Sequence, residues 1–400
     1  MAVGETRIEN FSTAADCQTT IKCLKDLGVS ISKDGTDMLV KGVGKTGFRM
    51  PERPLDCGNS GTTMRLLAGI LAGHNFESIL TGDESLHKRP MRRVIDPLEK
   101  MGARISSNDG KPPLTITGKH PLQSIEYTQE IASAQLKSSI LLAALNGEGE
   151  TVVIEPIQTR DHTERMLRWF GVEVKIEKNK DRTSIAVQGN SALMAHDLVI
   201  PEDMSSAAFF MAAAACLKGS DVTLPNVGIN PTRMAIFDLL VSLGANVEIL
   251  DANEICNEPV GTIHVRGGLG SQDNKVILDG PLIAGLIDEL PILAVLGTQL
   301  EKGIEVHDAG ELRVKETDRI AAIVENLKRM GADVTEFEDG FKVERSPIKG
   351  SKVDSFGDHR IAMAFAVAGL LAEGETEILG AECANISFPG VFETLSSVII

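Results

Sequence analysis

The sequence predicts a repeated α/β protein folded as two similar lobes with a cleft between them. Two observations carry this. First, one pattern recurs along the chain: an apolar helix, a short β-rich run, a loop, an amphipathic helix closed by glycine, and further strands. Its period is roughly 70–85 residues, too long for a thin solenoid and right for a small βαβ-type module. Second, the segment Asp197-Leu-Val-Ile-Pro-Glu-Asp203 falls between the third and fourth copies. It places three repeats on each side, in lobes of residues 1–199 and 200–400. Every repeat mixes strands with helices, which by itself leaves α/β and α+β both open.

The first copy starts directly on a strand-like run, Met1-Ala-Val-Gly4-Glu-Thr-Arg-Ile8, and runs to Leu27-Gly28. The second has an apolar helix over 66–71, a strand over 76–80, a helix ending at Met101-Gly102-Ala103, and Leu114-Thr-Ile-Thr-Gly118. In the third these parts are 140–145, Gly149-Glu-Thr-Val-Val-Ile154, a helix to Phe170-Gly171, and Ser184-Ile-Ala-Val187. The fourth has 207–217, Asp221-Val-Thr-Leu224, Leu243-Gly244-Ala245 and Gly261-Thr-Ile-His-Val265. The fifth has 291–296, Gly303-Ile-Glu-Val306, Met330-Gly331-Ala332 and Phe341-Lys-Val343. The last has a helix over 361–371, a strand over 374–379 and a final helix near 391–398, without closing strands. The glycine after each amphipathic helix fits a C-cap that needs positive φ. The first copy lacks the apolar helix that every other copy has. Either it is an atypical end repeat, or an N-terminal strand and helix are missing from the sequence; the second is the expectation.

Composition narrows the function classes. A net charge of −16 argues against a nucleic-acid partner on bulk electrostatics, and 4% aromatic residues argue against a base-stacking platform. The six cysteines form no CxxC pair, so they read as thiols in a cytoplasmic protein. No charged segment followed by an apolar core opens the chain, and the longest apolar run, 207–217, falls short of the ~18 residues of a membrane span. No His/Cys spacing suits zinc, and no GxSxG signature is present. Neither a metal nor a cofactor is expected.

The unusual polar residues sit at helix starts. Glu311-Leu-Arg-Val-Lys-Glu-Thr-Asp-Arg319 opens a helix with Ile320, Ile323, Leu327 and Met330 at helical spacing. Basic groups at a helix start oppose the macrodipole, and an anionic ligand would make sense of them. Gly58-Asn59-Ser60-Gly61-Thr62-Thr63-Met64-Arg65 is a Gly-rich turn that can offer amides to a phosphate or carboxylate, or simply turn the chain. Ser133-Ala134-Gln135-Leu136-Lys137 puts hydroxyl, amide and ammonium groups on an otherwise apolar helix, with plain N-capping as the alternative. Asp203-Met204-Ser205-Ser206 again reads as capping, and Asp288-Glu289-Leu290-Pro291 is explained by the dipole alone. In Asp358-His359-Arg360 the arginine is not explained by the dipole. Taken singly, such runs are solvated surface. Their recurrence at equivalent places of a symmetric fold predicts convergence. Arg65, Arg89, Arg160, Lys315, Arg319 and Arg360 then form a basic focus for carboxylates and phosphates, with Asp288 and Glu316 among them for proton transfer.

Eight ordered motifs carry a resemblance over essentially the whole chain. They are Leu55-Asp-Cys-Gly-Asn-Ser-Gly-Thr-Thr-Met-Arg65, Leu80-Thr-Gly-Asp-Glu-Ser-Leu-His-Lys-Arg-Pro-Met91, Ser133-Ala-Gln135, Arg160-Asp-His-Thr-Glu-Arg165, Asp288-Glu-Leu-Pro291, the Glu311–Arg319 stretch, Asp358-His-Arg360 and Ser387-Phe-Pro389. The chain resembles the 5-enolpyruvylshikimate-3-phosphate synthases, members of the enolpyruvyl transferases. The resemblance implies two lobes of three βαβαββ units closing over substrate. It implies transfer of the enolpyruvyl group of phosphoenolpyruvate to the 5-hydroxyl of shikimate 3-phosphate, in the shikimate pathway of aromatic amino-acid biosynthesis. Carried over by motif, Ser133, Ala134, Gln135, Arg160, Asp288 and Lys315 hold shikimate 3-phosphate. Gly61, Arg89, Gln135, Arg319 and Arg360 hold phosphoenolpyruvate. Asp288 handles the hydroxyl proton and Glu316 the methylene proton. No cofactor is implied, the partners are the two small anionic substrates, and the protein is expected to be a monomer.

The family opens with a strand and a Lys-Ser-x-Ser-x-x-Arg helix, which this sequence lacks. Weak or absent catalysis by the chain as it stands is therefore an expectation, and an inactive remnant that binds shikimate 3-phosphate, or only folds, is the alternative. The related transferase acting on UDP-N-acetylglucosamine calls for a cysteine within 82–89, and none is there.

Overall fold

Four of the sheets repeat one strand pattern: a parallel pair extended on one side by an antiparallel hairpin. In the computed structural model, which describes residues 1–180, 182–270 and 275–398, Leu55–Asp56 runs parallel to Glu77–Thr81, and the hairpin Arg104–Asn108/Lys111–Thr117 completes that sheet. Glu126–Thr128 and Glu150–Glu155 form the next parallel pair, beside Thr183–Gln188 and Val174–Lys178. Val276–Leu278 and Ile304–Val306 form another, beside Gly340–Val343 and Val334–Phe337. Strands Val3–Glu9, Asp37–Val43 and Ser30–Asp34 follow the same scheme. There the parallel partner is Leu198–Val199, paired as Ile8↔Leu198 and Glu9↔Val199. The segment after the third repeat is thus partly a strand, nearly two hundred positions from the strand it completes.

The chain divides into two compact units, Met1–Ile200 with Ile255–Glu258, and Pro201–Glu254 with Pro259–Ile400. Each has its own apolar core. Helices of two kinds fill them. One kind is apolar all round and enclosed: every residue of Leu290–Gly297 is buried, as is all of Met204–Cys216 except Ser206 and Cys216. Gly61–Ala72, Ala134–Ala144 and His359–Leu371 belong with these. The other kind buries one face only, as in Arg92–Lys100, His162–Trp169 and Arg319–Arg329. The amphipathic helices stop at Gly28, Gly102, Gly171, Gly244 and Gly331, whose φ values run from +73° to +106°, a conformation open to glycine at little cost.

The enclosed helices decide where chemistry can sit. With their sides walled mainly by apolar residues, their ends are where polar groups gather. Ser60, Ser133, Asp203 and Asp358 each cap one of these starts through the side chain. Within the charged stretch, Gly310–Val314 is a 3-10 turn, and the α-helix begins only at Arg319 with Asp318 as its cap. The helix therefore starts at the last residue of the stretch.

Candidate active site

In the first unit the candidate residues gather at two helix starts. Ser60 Oγ accepts the Thr63 amide at 3.2 Å and opens the helix Gly61–Ala72. Arg65, one turn on, donates from Nη1 to Gln135 Oε1 at 2.6 Å, and Gln135 Nε2 donates to Thr62 Oγ1 at 2.6 Å. Gln135 lies in the first turn of Ala134–Ala144, so this bridge ties the two helix starts together. Gly61 is the close approach: a Cβ there would stand 2.7 Å from Arg65 Nη1 and 2.9 Å from Arg89 Nη1. Two guanidinium groups thus meet beside the amides of one helix start, an arrangement suited to an anion. Arg89 is buried and Arg65 half-buried.

Ser133 is the N-cap of its helix, its Oγ accepting the Leu136 amide at 3.3 Å. Gln129 holds it from the other side, donating to the Ser133 carbonyl at 3.1 Å. Arg160 is half-buried on the loop between the strand Glu150–Glu155 and the helix His162–Trp169. That loop is fastened to the Ser133 helix by Lys137, which reaches Glu155 and Glu164.

In the second unit the cluster is built on Arg319, whose side chain is 1% exposed. Its Nε donates to Asp358 Oδ2 at 2.8 Å, its Nη2 to Glu316 Oε2 at 2.7 Å, and its Nη1 lies 3.6 Å from Asp288 Oδ1. Burial disfavours the charge, but Asp358, Glu316 and Asp288 outweigh it, and the guanidinium pKa is raised. Arg360 adds a second cation, 3.6 Å from Asp288 Oδ2 and donating to the Asp288 carbonyl at 3.1 Å. Lys315 is half-buried. Burial lowers its pKa, with Asp288 pulling the other way. His359 is pushed down to about 4, chiefly by burial and then by Arg360, so it is neutral near pH 7.

Of the residues the sequence singles out, Gly61, Arg89 and Gln135 gather at one spot in the first unit, and Asp288, Glu316, Arg319 and Arg360 at another in the second. Ala134 opens its helix beside Ser133. Arg313 pairs with Asp318 at 2.7 Å and Glu336 at 3.0 Å, apart from this cluster. Three features are missed. Asp358 is fully buried as both helix cap and Arg319 partner. Thr62 completes the Gln135 bridge. Glu289 is buried against Ser205, whose Oγ also takes a 2.6 Å hydrogen bond from Arg233. An acid at a helix start reads as capping, and no local signal separates that from a second role. Among the described residues, no group of His, Cys, Asp and Glu could hold a metal ion, and no helix is long and apolar enough to cross a membrane.

Comparison with known proteins points to one family. The family model for EPSP synthase (3-phosphoshikimate 1-carboxyvinyltransferase) matches residues 1–395. The 3-phosphoshikimate 1-carboxyvinyltransferase of Solibacter usitatus is 46% identical over 400 residues, all of this chain and 92% of the relative. That of Geobacillus kaustophilus is 47% identical over 404 residues, covering 100% of this chain and 93% of the relative. Among solved structures, an EPSP synthase from Acinetobacter baumannii superposes with a TM-score of 0.85 at 41% identity, covering 100% of this chain and 91% of that one. An enolpyruvyl transferase from Streptomyces tendae shares the fold at a TM-score of 0.76 and 16% identity, covering 99% and 89%. Two α/β units with a repeated strand scheme, anion-suited helix starts and a match along nearly the whole length lead to one conclusion: the chain belongs to the EPSP synthase family.

Proposed function

We propose that this protein transfers the enolpyruvyl group of phosphoenolpyruvate to the 5-hydroxyl of shikimate 3-phosphate, releasing phosphate. Family membership supports the reaction. The observation that carries it to particular residues is the meeting of the Arg65 and Arg89 guanidinium groups at Gly61. Cations crowded at a helix start, in a chain of net charge −16, suit a small polyanion.

In this reading Ser133, Ala134, Gln135, Arg160, Asp288 and Lys315 hold shikimate 3-phosphate. Gly61, Arg89, Gln135, Arg319 and Arg360 hold phosphoenolpyruvate. Asp288 accepts the proton of the 5-hydroxyl as that oxygen bonds to C2 of phosphoenolpyruvate, while Glu316 delivers a proton to C3. In the second step the C2–O bond to phosphate breaks, and a C3 proton returns to Glu316. Arg319 lies against Asp288 and Glu316 at once and sets a buried cation beside both acids. The two lobes are taken as residues 1–199 and 200–400, and the active species as a monomer in a cytoplasmic setting.

The experiment is a phosphate-release assay with each substrate alone and with both, alongside light scattering for the mass in solution. Release that needs both substrates supports the proposal. Release from phosphoenolpyruvate alone, or none from a folded protein that also fails to bind either substrate, overturns it.

A further inference from the structure

Lys137 stands in the first turn of the apolar helix Ala134–Ala144, two residues past Gln135, and is fully buried. Its Nζ lies 3.1 Å from Glu155 Oε1 and 2.7 Å from Glu164 Oε1, and both carboxylates are buried. These acids bracket one loop. Glu155 ends the strand before it, and Glu164 lies in the first turn of the helix after it. Between them stand Thr159 and Arg160. Thr159 Oγ1 donates to Glu155, which fixes the residue next to Arg160. A second tie runs alongside, with the Ser138 and Thr163 hydroxyls 2.6 Å apart. One ammonium therefore grips both ends of the Arg160 loop and fastens them to the Ser133-Ala134-Gln135 helix start.

Stability does not account for this triad. Taking one ammonium and two carboxylates out of water costs several kcal/mol per ion, and well-packed apolar residues of similar volume are often as stable or more so. The excess carboxylate adds to the cost: burial raises the Glu164 pKa, with Lys137 opposing. What apolar packing lacks is direction. Charge-assisted bonds from a single Nζ to two acids set the loop and the helix start in one register.

We infer that Lys137, acting through Glu155 and Glu164, is a positioning residue for shikimate 3-phosphate, setting the Arg160 guanidinium against the Ser133–Gln135 helix start. This rests on the reading that those residues hold that substrate. A positioning group of this kind acts on affinity, and misplacement near 1 Å is worth roughly ten- to hundred-fold.

The test is calorimetric titration with shikimate 3-phosphate, with melting temperatures measured in parallel. Lys137→Met alone strands two buried acids and risks unfolding, so the informative variant is Lys137→Met/Glu155→Gln/Glu164→Leu, which removes the charge of the triad and keeps an acceptor for Thr159. It is expected to melt no lower than the wild type yet bind roughly ten- to hundred-fold more weakly. Glu164→Leu should weaken binding, and Glu164→Gln, which keeps an acceptor for Nζ, should rescue it. Wild-type affinity in the folded triple variant overturns the inference while leaving the functional reading intact. A folded wild-type protein that binds no shikimate 3-phosphate overturns both.

Discussion

Replacing Gly61 by Ala is the sharpest test of the first-unit cluster. Its backbone is not in the left-handed region, so alanine brings no φ strain, and at the first position of a helix it is the better former by up to about 1 kcal/mol. The cost is local. The new Cβ would lie 2.7 Å from Arg65 Nη1 and 2.9 Å from Arg89 Nη1, where ordinary contact begins at 3.4 Å. Both guanidinium groups must shift, and Arg65 does so against its 2.6 Å bond to Gln135. Misaligning one charged hydrogen bond is worth about 1.5–3 kcal/mol, or roughly ten- to hundred-fold in an equilibrium constant. The variant should therefore raise KM for phosphoenolpyruvate by about that factor. Its melting temperature should not fall. Steady-state kinetics with phosphoenolpyruvate varied, plus a thermal melt, measures all of this. A phosphoenolpyruvate KM within two-fold of wild type would refute the claim that these arginines define the anion position.

Three further outcomes follow from the second-unit cluster. Arg319→Met removes a cation shared by Asp358, Glu316 and Asp288 and leaves the fully buried Asp358 without its guanidinium partner. Urea unfolding should show a loss of about 3–5 kcal/mol, and an unchanged midpoint would contradict the pairing. His359 has its folded pKa near 4, below the usual 6.5, so the unfolded chain binds the extra proton first. Its contribution is present above pH 6.5 and is lost as pH falls toward 4, up to about 3 kcal/mol. Urea midpoints at pH 7 and pH 4.5 should differ less in His359→Gln than in wild type, and equal differences would remove His359 as the cause. Asp288→Asn keeps the shape but cannot take a proton, so kcat should drop about 10²–10⁴-fold with substrate affinity largely kept. A near-normal kcat would move that role to another group.

Helix starts were the readable part of this molecule, because their signals are local. A cap, a Gly-rich turn and an apolar run stand side by side, and repetition marks which of them matter. The glycines after the amphipathic helices announce their positive φ in the same way. Pairings across long stretches left no such mark. Leu198–Val199 completes the sheet of Val3–Glu9 from the far end of its unit. Asp358 reaches Arg319 across 39 positions, and Asp358 looks like an ordinary capping acid in its own neighbourhood. Lys137 stands out as a charge in an apolar helix, but Glu155 closes an apolar strand run and Glu164 sits among surface-type charges, with nothing local to pair either with Lys137. The start of the helix after Glu311 was blurred for a physical reason. The 3-10 turn and the capping Asp318 use the same polar residues that a first helical turn would.

Turnover in D2O reads the central claim most directly, since it reports product identity rather than speed and so serves for a slow enzyme. Protonation of C3 makes a methyl group that solvent can label, and loss of any one of its hydrogens restores the methylene. Mass spectrometry after incubation with both substrates should find a carboxyvinyl ether of shikimate 3-phosphate with deuterium in its vinyl group, and one phosphate for each. Pyruvate and phosphate as the only products, or an unlabelled carboxyvinyl ether, would contradict addition and elimination at Asp288 and Glu316.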